Sequence, residues 1–112
     1  MITHPLRDYL LGKPHTTEEH PFGPENWVYK VGGKIFAIVS FLDDPVTINL
    51  KCDPDDAIVL RQMYTAVQPG YHMNKKHWNT VTLNDSIPEA EFYAMIDHSY
   101  RLIVQSLPKS KR

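Results

Sequence analysis

Two β-rich runs flank a pair of glycines in the first half of the chain: WVYKV (27–31), then Gly32-Gly33, then KIFAIVSFL (34–42). The tight two-residue turns that match strand twist need positive φ at their central positions, which glycine adopts without a steric cost. The pair therefore predicts a β-hairpin and commits the middle of the chain to antiparallel pairing. A second connection, Asp43-Asp44-Pro45, leads into VTINLKC (46–52). There Val46, Ile48 and Leu50 alternate with Thr47, Asn49 and Lys51, the period-two pattern of a strand with one buried face. Together the three runs read as a meander.

Helices are expected on either side of it. Thr3 to Leu11 reads as a short helix, capped by Thr3, with Pro5 in its first turn and Gly12 as the stop. KPHTTEEHPFGPEN (13–26) reads as an ordered loop, since its prolines and glycine break periodicity while Phe22 gives it something to bury. Asp53-Pro54-Asp55-Asp56 starts a second helix, with Asp53 as cap and a stripe at Ala57, Leu60 and Tyr64 that ends near Val67. HWNTVTL (77–83) is another strand. Ser86-x-x-Glu89 with Pro88 reads as a capping box that opens a last helix, about Pro88 to Leu107, with Phe92, Ile96, Ile103 and Leu107 on its core face. The class is α+β, a mostly antiparallel sheet covered by helices in the order α-β-β-β-α-β-(β)-α. All of 1–112 forms one domain, and 108–112 is a basic tail.

Ordinary globular proportions, 42% hydrophobic and 22% charged, exclude wholesale disorder. No apolar run reaches the ~18 residues of a membrane span, and MITHPLRDYL lacks the basic-then-apolar pattern of a secretory signal. A lone cysteine, Cys52, excludes an internal disulfide and a cysteine-based metal cage. These features point to a cytoplasmic protein, expected to be monomeric. A pI near 6.6 speaks against coating nucleic acid by bulk charge. Charge is nonetheless uneven: residues 1–56 hold nine acids against five lysines and arginines, residues 57–112 four against seven, and 57–84 hold no acid.

Cys52 closes an apolar strand, where a cysteine serves as a small hydrophobe, and no serine sits in a nucleophile elbow. With no nucleophile–base pair to name, no catalytic residue and no cofactor are expected. The histidine pairs His15/His20 and His72/His77 are five apart, which misses the spacing that puts two imidazoles on one helical face. VQPGYHMNKKHWNTVTL (67–83) gathers the most chemistry. A turn just before a strand projects Asn74, Lys75, Lys76 and His77 toward phosphate oxygens, and Lys109, Lys111 and Arg112 can add charge. The same stretch also suits a pocket for a small molecule or a protein partner, with Tyr71, His72, Asn74, Trp78 and Asn79 as its wall.

Four segments together resemble the MmcQ/YjbR family of small bacterial proteins: HPFGPENWVYKVGGKIFAIV (20–39), NLKCDPDDAIVLR (49–61), VQPGYHMNKKHWNTVTL (67–83) and MIDHSYRLIVQSLPKSKR (95–112). The resemblance covers nearly the whole chain. It implies a CyaY-like (frataxin-like) α+β fold and DNA binding through two β-hairpin wings, with no catalytic residues to carry over. The wings here would be the hairpin around Gly32-Gly33, with Lys30 and Lys34, and the region around Asn74-Lys75-Lys76. The frataxin-like fold also raises a metal-binding alternative at Glu18, Glu19, Asp43 and Asp44.

Overall fold

A computed structural model describes residues 4–71 and 73–111. Helix α1 (His4–Leu11) precedes four strands, β1 (Thr16–Glu19), β2 (Asn26–Val31), β3 (Lys34–Ser40) and β4 (Thr47–Lys51). Then come α2 (Pro54–Met63), β5 (Val67–Pro69), β6 (Trp78–Thr82), α3 (Glu89–Ser106) and a single 3₁₀ turn (Lys109–Lys111). The strands form one antiparallel sheet in the order β1-β2-β3-β4-β6-β5. The α+β class and the central meander are as expected.

Gly32 and Gly33 adopt φ of +58° and +81°, the left-handed turn that the hairpin requires. One residue beyond a simple ladder is absorbed by a bulge in the β2–β3 pairing, next to Tyr29 and Lys30. Leu6 and Leu10 of α1 and Ile96 and Ile103 of α3 pack with Tyr29, Val39, Ile48, Leu50 and Val81 in one core. Tyr9 of α1 donates to Asp97 of α3, so both helices lie on one side of the sheet. α2 flanks a cleft with α3 over Leu50 and Val81, on that same side. Among the described residues no helix covers the opposite face, where Asn49, Lys51, Trp78 and Thr80 are half-buried.

Four expectations change. Residues 16–19, read as part of a loop, form the edge strand β1. Thr-Thr-Glu-Glu has no apolar alternation to betray it; backbone pairing to β2 makes it, and its inward acid, Glu18, is neutralised by Arg7. Helix α2 stops at Met63, not near Val67. Tyr64 turns extended, and Val67 is fully buried in register with Val81, because a 3–4 spacing of apolar residues cannot by itself exclude a return to the sheet. The additional strand after α2 is thus β5, ahead of β6. Finally, the Ser86–Glu89 capping box does not form. Ser86 Oγ donates to Asn84 Oδ1, and α3 starts at Glu89 with Pro88 as a cap that offers no side chain. The expected cap at Thr3 lies outside the described residues.

Candidate functional site

Register fixes which loops share an end of the sheet. Ala37 of β3 pairs with Leu50 of β4, and Leu50 pairs with Asn79 of β6. From that row β3 runs back to the Gly32-Gly33 turn, β4 runs forward to Cys52, and β6 runs back to His77. The β2–β3 turn and the β5–β6 loop (70–77) therefore leave the same end, from strands two spacings, or roughly 10 Å, apart. The C-terminal turn joins them there: Lys34 Nζ donates to Ser106 Oγ (3.3 Å), and Gly32 abuts Leu107. Residues far apart in sequence, Lys34, Lys75, Lys76, Lys109 and Lys111, thus belong to one end of the molecule, and all are exposed.

Lys30 differs from these, since its ammonium pairs with Glu19 (3.2 Å) on the uncovered face. Lys51 was not singled out in the sequence because it reads as the polar half of an alternating strand. It pairs in register with Trp78, which places both on the uncovered face between the two loops. Acids share this end as well. Asp53 caps α2 through the Asp55 N–H (3.0 Å), and Asp55 and Asp56 follow in its first turn, on the helix-covered side. Lysines and acids therefore share this end: Lys34, bonded to Ser106 of α3, lies on the helix side with the acids of α2, whereas Lys51 lies on the uncovered one.

The β5–β6 loop is held from within and from α2. Asn74 Oδ1 accepts from the Lys76 N–H (2.9 Å), and Lys75 Nζ donates to Gly70 O (3.0 Å). Arg61 of α2 donates to Asn79 Oδ1 (2.8 Å), to Trp78 O (3.2 Å) and to Lys75 O. No motif in the sequence marks Arg61 as this clamp; its partners lie 14 to 18 residues on. His77 is half-buried and serves the backbone, its carbonyl accepting from the Cys52 N–H (2.8 Å). Arg112 lies outside the described residues.

Of the residues named for a pocket, Tyr71 is 68% exposed, with its N–H bonded to Thr80 Oγ1 (2.9 Å) on the uncovered side. Trp78 and Tyr71 line neither of the two clefts found on the helix side, Asn79 lines one, and His72 lies outside the described residues. Nor do the acids of the metal alternative form a free cluster. Glu18 takes a bidentate Arg7 (2.9 and 3.0 Å) and the Tyr29 hydroxyl (2.7 Å), while Asp43 accepts from Thr47 (2.7 Å). The Arg7 and Tyr29 bonds hold the Glu18 carboxyl below its usual range, and burial pushes the Tyr29 phenol up. Among the described residues no three His, Cys, Asp or Glu side chains converge as metal ligands. Cys52 is 4% exposed, and burial, helped by Asp56 and Asp53, pushes its thiol up to about 11. A protonated, enclosed thiol is no nucleophile at neutral pH.

Comparison with known proteins agrees with this architecture along the whole chain. A solved structure of the Deinococcus radiodurans protein DR2400, of the DUF419 family, superposes with a TM-score of 0.90 at 34% identity, covering 100% of this chain and 86% of that one. A Pseudomonas syringae structure, target PsR293, matches with a TM-score of 0.79 at 29% identity, over 92% and 99% of the two chains. The uncharacterized protein YbdF of Escherichia coli O157:H7 is 47% identical over 89 residues, 80% of this chain and 73% of the relative. The uncharacterized protein YjbR of Escherichia coli K12 is 35% identical over 107 residues, 96% of this chain and 91% of the relative. The YjbR family model itself matches residues 11–102, so the chain belongs to the YjbR family.

Proposed function

We propose that the loop end of the sheet binds duplex DNA by its phosphates, as a non-enzymatic module with the two hairpin loops as wings. The observation that carries this reading is the convergence of the β2–β3 turn, the β5–β6 loop and the C-terminal turn on one end. It gathers Lys34, Lys75, Lys76, Lys109 and Lys111 there, with Lys51 between the loops on the uncovered face. Exposed ammonium groups on clamped loops suit phosphate contact, since little ordering remains to be done on binding.

Fluorescence anisotropy with a labelled duplex over a range of salt tests this. Affinity should fall linearly in log–log form with a slope of about −0.9 per phosphate neutralised, hence roughly −4 if most of these lysines engage. Lys75→Ala with Lys76→Ala should flatten the slope by about 2. Binding that is absent, or a slope that the double variant leaves unchanged, would overturn the proposal.

A further inference from the structure

The face of the sheet that no described helix covers is continuous with the loop end, and strand pairing lays out its rows. Lys51 and Trp78 stand side by side nearest the loops. Ile38, Asn49 and Thr80 form the row behind them, across β3, β4 and β6. All five are half-buried. The β5–β6 loop folds along the margin of this face, because the Tyr71 N–H is bonded to Thr80 Oγ1 (2.9 Å), and Tyr71 is 68% exposed. Two aromatic side chains are thus presented beside a lysine on an open sheet, where large planar apolar surface stays in contact with water.

Polar groups on the face narrow the choice of occupant. The Thr80 hydroxyl, which accepts from Tyr71, donates in turn to Asn49 Oδ1. That relay uses the carbonyl end of the amide and leaves the Asn49 NH₂ as a donor over the face. Charge is graded along the same direction. Lys51 and the exposed Lys76 mark the loop end, while among the described residues acids come to this face at its margins. Glu19 lies on the β1 edge, paired with Lys30 (3.2 Å), and Asp43 lies at the far end, bonded to Thr47 (2.7 Å). A matching occupant is anionic near the loops, planar over the aromatic residues, and bears hydrogen-bond acceptors. A nucleic-acid strand with its bases turned out meets all three conditions, and open sheets carrying aromatic residues hold single strands in that way. A duplex does not, since its bases are already stacked on one another.

We infer that the open face holds a single-stranded extension of the DNA bound at the loop end. Its bases stack on Trp78 and Tyr71, and Lys51 meets the phosphate where duplex gives way to single strand. This rests on the duplex reading and deepens it, for the substrate becomes a junction between duplex and single strand. The two rows lie about 7 Å apart along the strands, which gives the platform room for about two or three bases.

Fluorescence anisotropy of the full chain with three probes tests the inference: a short blunt duplex, the same duplex with an oligothymidine overhang on either strand, and the same overhangs built of abasic nucleotides. Thymidine supplies base carbonyls for Asn49, and the abasic strand keeps the phosphates without the bases. On one strand polarity the thymidine overhang should bind at least about tenfold more tightly than its abasic counterpart. Tyr71→Ala, at an exposed position, should erase most of that advantage while the unfolding midpoint and the affinity for the blunt duplex stay in place. In NMR the Trp78 indole N–H should shift with the thymidine overhang and not with the abasic one. The Trp27 indole, beside Arg7 of α1, should not move. Equal affinity for thymidine and abasic overhangs overturns the inference and leaves the duplex reading standing. So does an advantage that survives Tyr71→Ala with the Trp78 indole unmoved. An oligoglutamate peptide that shifts the Trp78 indole as strongly as the overhang does overturns it in favour of an acidic protein segment. A thymidine strand that keeps its advantage where the blunt duplex does not bind supports the platform and overturns the duplex reading instead. Binding of none of the probes overturns both.

Discussion

A Cβ on Gly32 would lie 2.5 Å from Leu107 Cδ1, whereas one on Gly33 would meet nothing within 4 Å. Both residues hold positive φ, so alanine at either carries a left-handed cost of about 1–2 kcal/mol. Only at Gly32 is a steric conflict added, and chemical denaturation should rank Gly32→Ala clearly below Gly33→Ala in stability. The glycine pair was legible in the sequence as a turn; the reason the first glycine is the stricter was not, because Leu107 is seventy-five positions away. At Cys52 the raised thiol pKa and burial predict negligible labelling by iodoacetamide in native protein and rapid labelling in denaturant. Two carboxylates contribute to stability in acid. Hydrogen bonds from Arg7, with help from Tyr29, lower Glu18 below its ordinary 4.5. Burial would raise Asp97, but Lys13 and Tyr9 more than offset it and hold it below 3.8. A lowered folded-state pKa contributes stability that is whole above the ordinary value and drains as pH falls through the lowered one. Stability measured by urea from neutrality to about pH 2 should therefore fall below pH 4.5, and Glu18→Gln should flatten that limb.

At the scale of elements, α3 is fastened to the sheet where the sheet is irregular. Ser99 is fully buried; its Oγ donates to Phe36 O (2.6 Å) beside the bulge and accepts from the Lys51 N–H (2.9 Å). Ser99→Ala leaves two buried backbone groups without that partner and should cost about 2 kcal/mol in thermal or chemical unfolding. Arg61 plays the matching part for α2. Arg61→Ala should cost a similar amount, about 2 kcal/mol, and speed amide exchange in residues 70–77 while exchange in β2 and β3 stays slow. Elements with strong local signals, such as the Asp53-Pro54 helix start and the Gly-Gly hairpin, were readable in advance. β1 was not, for a strand of threonines and glutamates exists only because β2 offers it an edge. Local capping chemistry likewise misled at Ser86, where Asn84 competes for the hydroxyl.

For the molecule as a whole, the two sheet edges bear directly on association. β1 presents Glu18 and Glu19, and β5 ends in Pro69, both features that discourage a second chain from adding a strand. Sedimentation velocity is expected to show one species at the monomer's 13.0 kDa. No described helix is long and apolar enough to cross a membrane. The candidate interface was half visible: the Asn74–Lys76 tip and Lys34 could be named from the sequence, whereas Lys51 and Arg61 could not. From the sequence alone come the α+β class, the meander with its glycine turn, the second helix with its aspartate cap, and a buried, inert Cys52. Each follows from local periodicity, turn chemistry or hydrophobicity, which act over a few residues. Only tertiary structure decided that the hairpin loops share one end, that the C-terminal turn joins them there, and that a cleft opens over Leu50 and Val81 between α2 and α3. Those arrangements depend on strand register and on where helices leave the sheet uncovered, and both are settled by long-range packing.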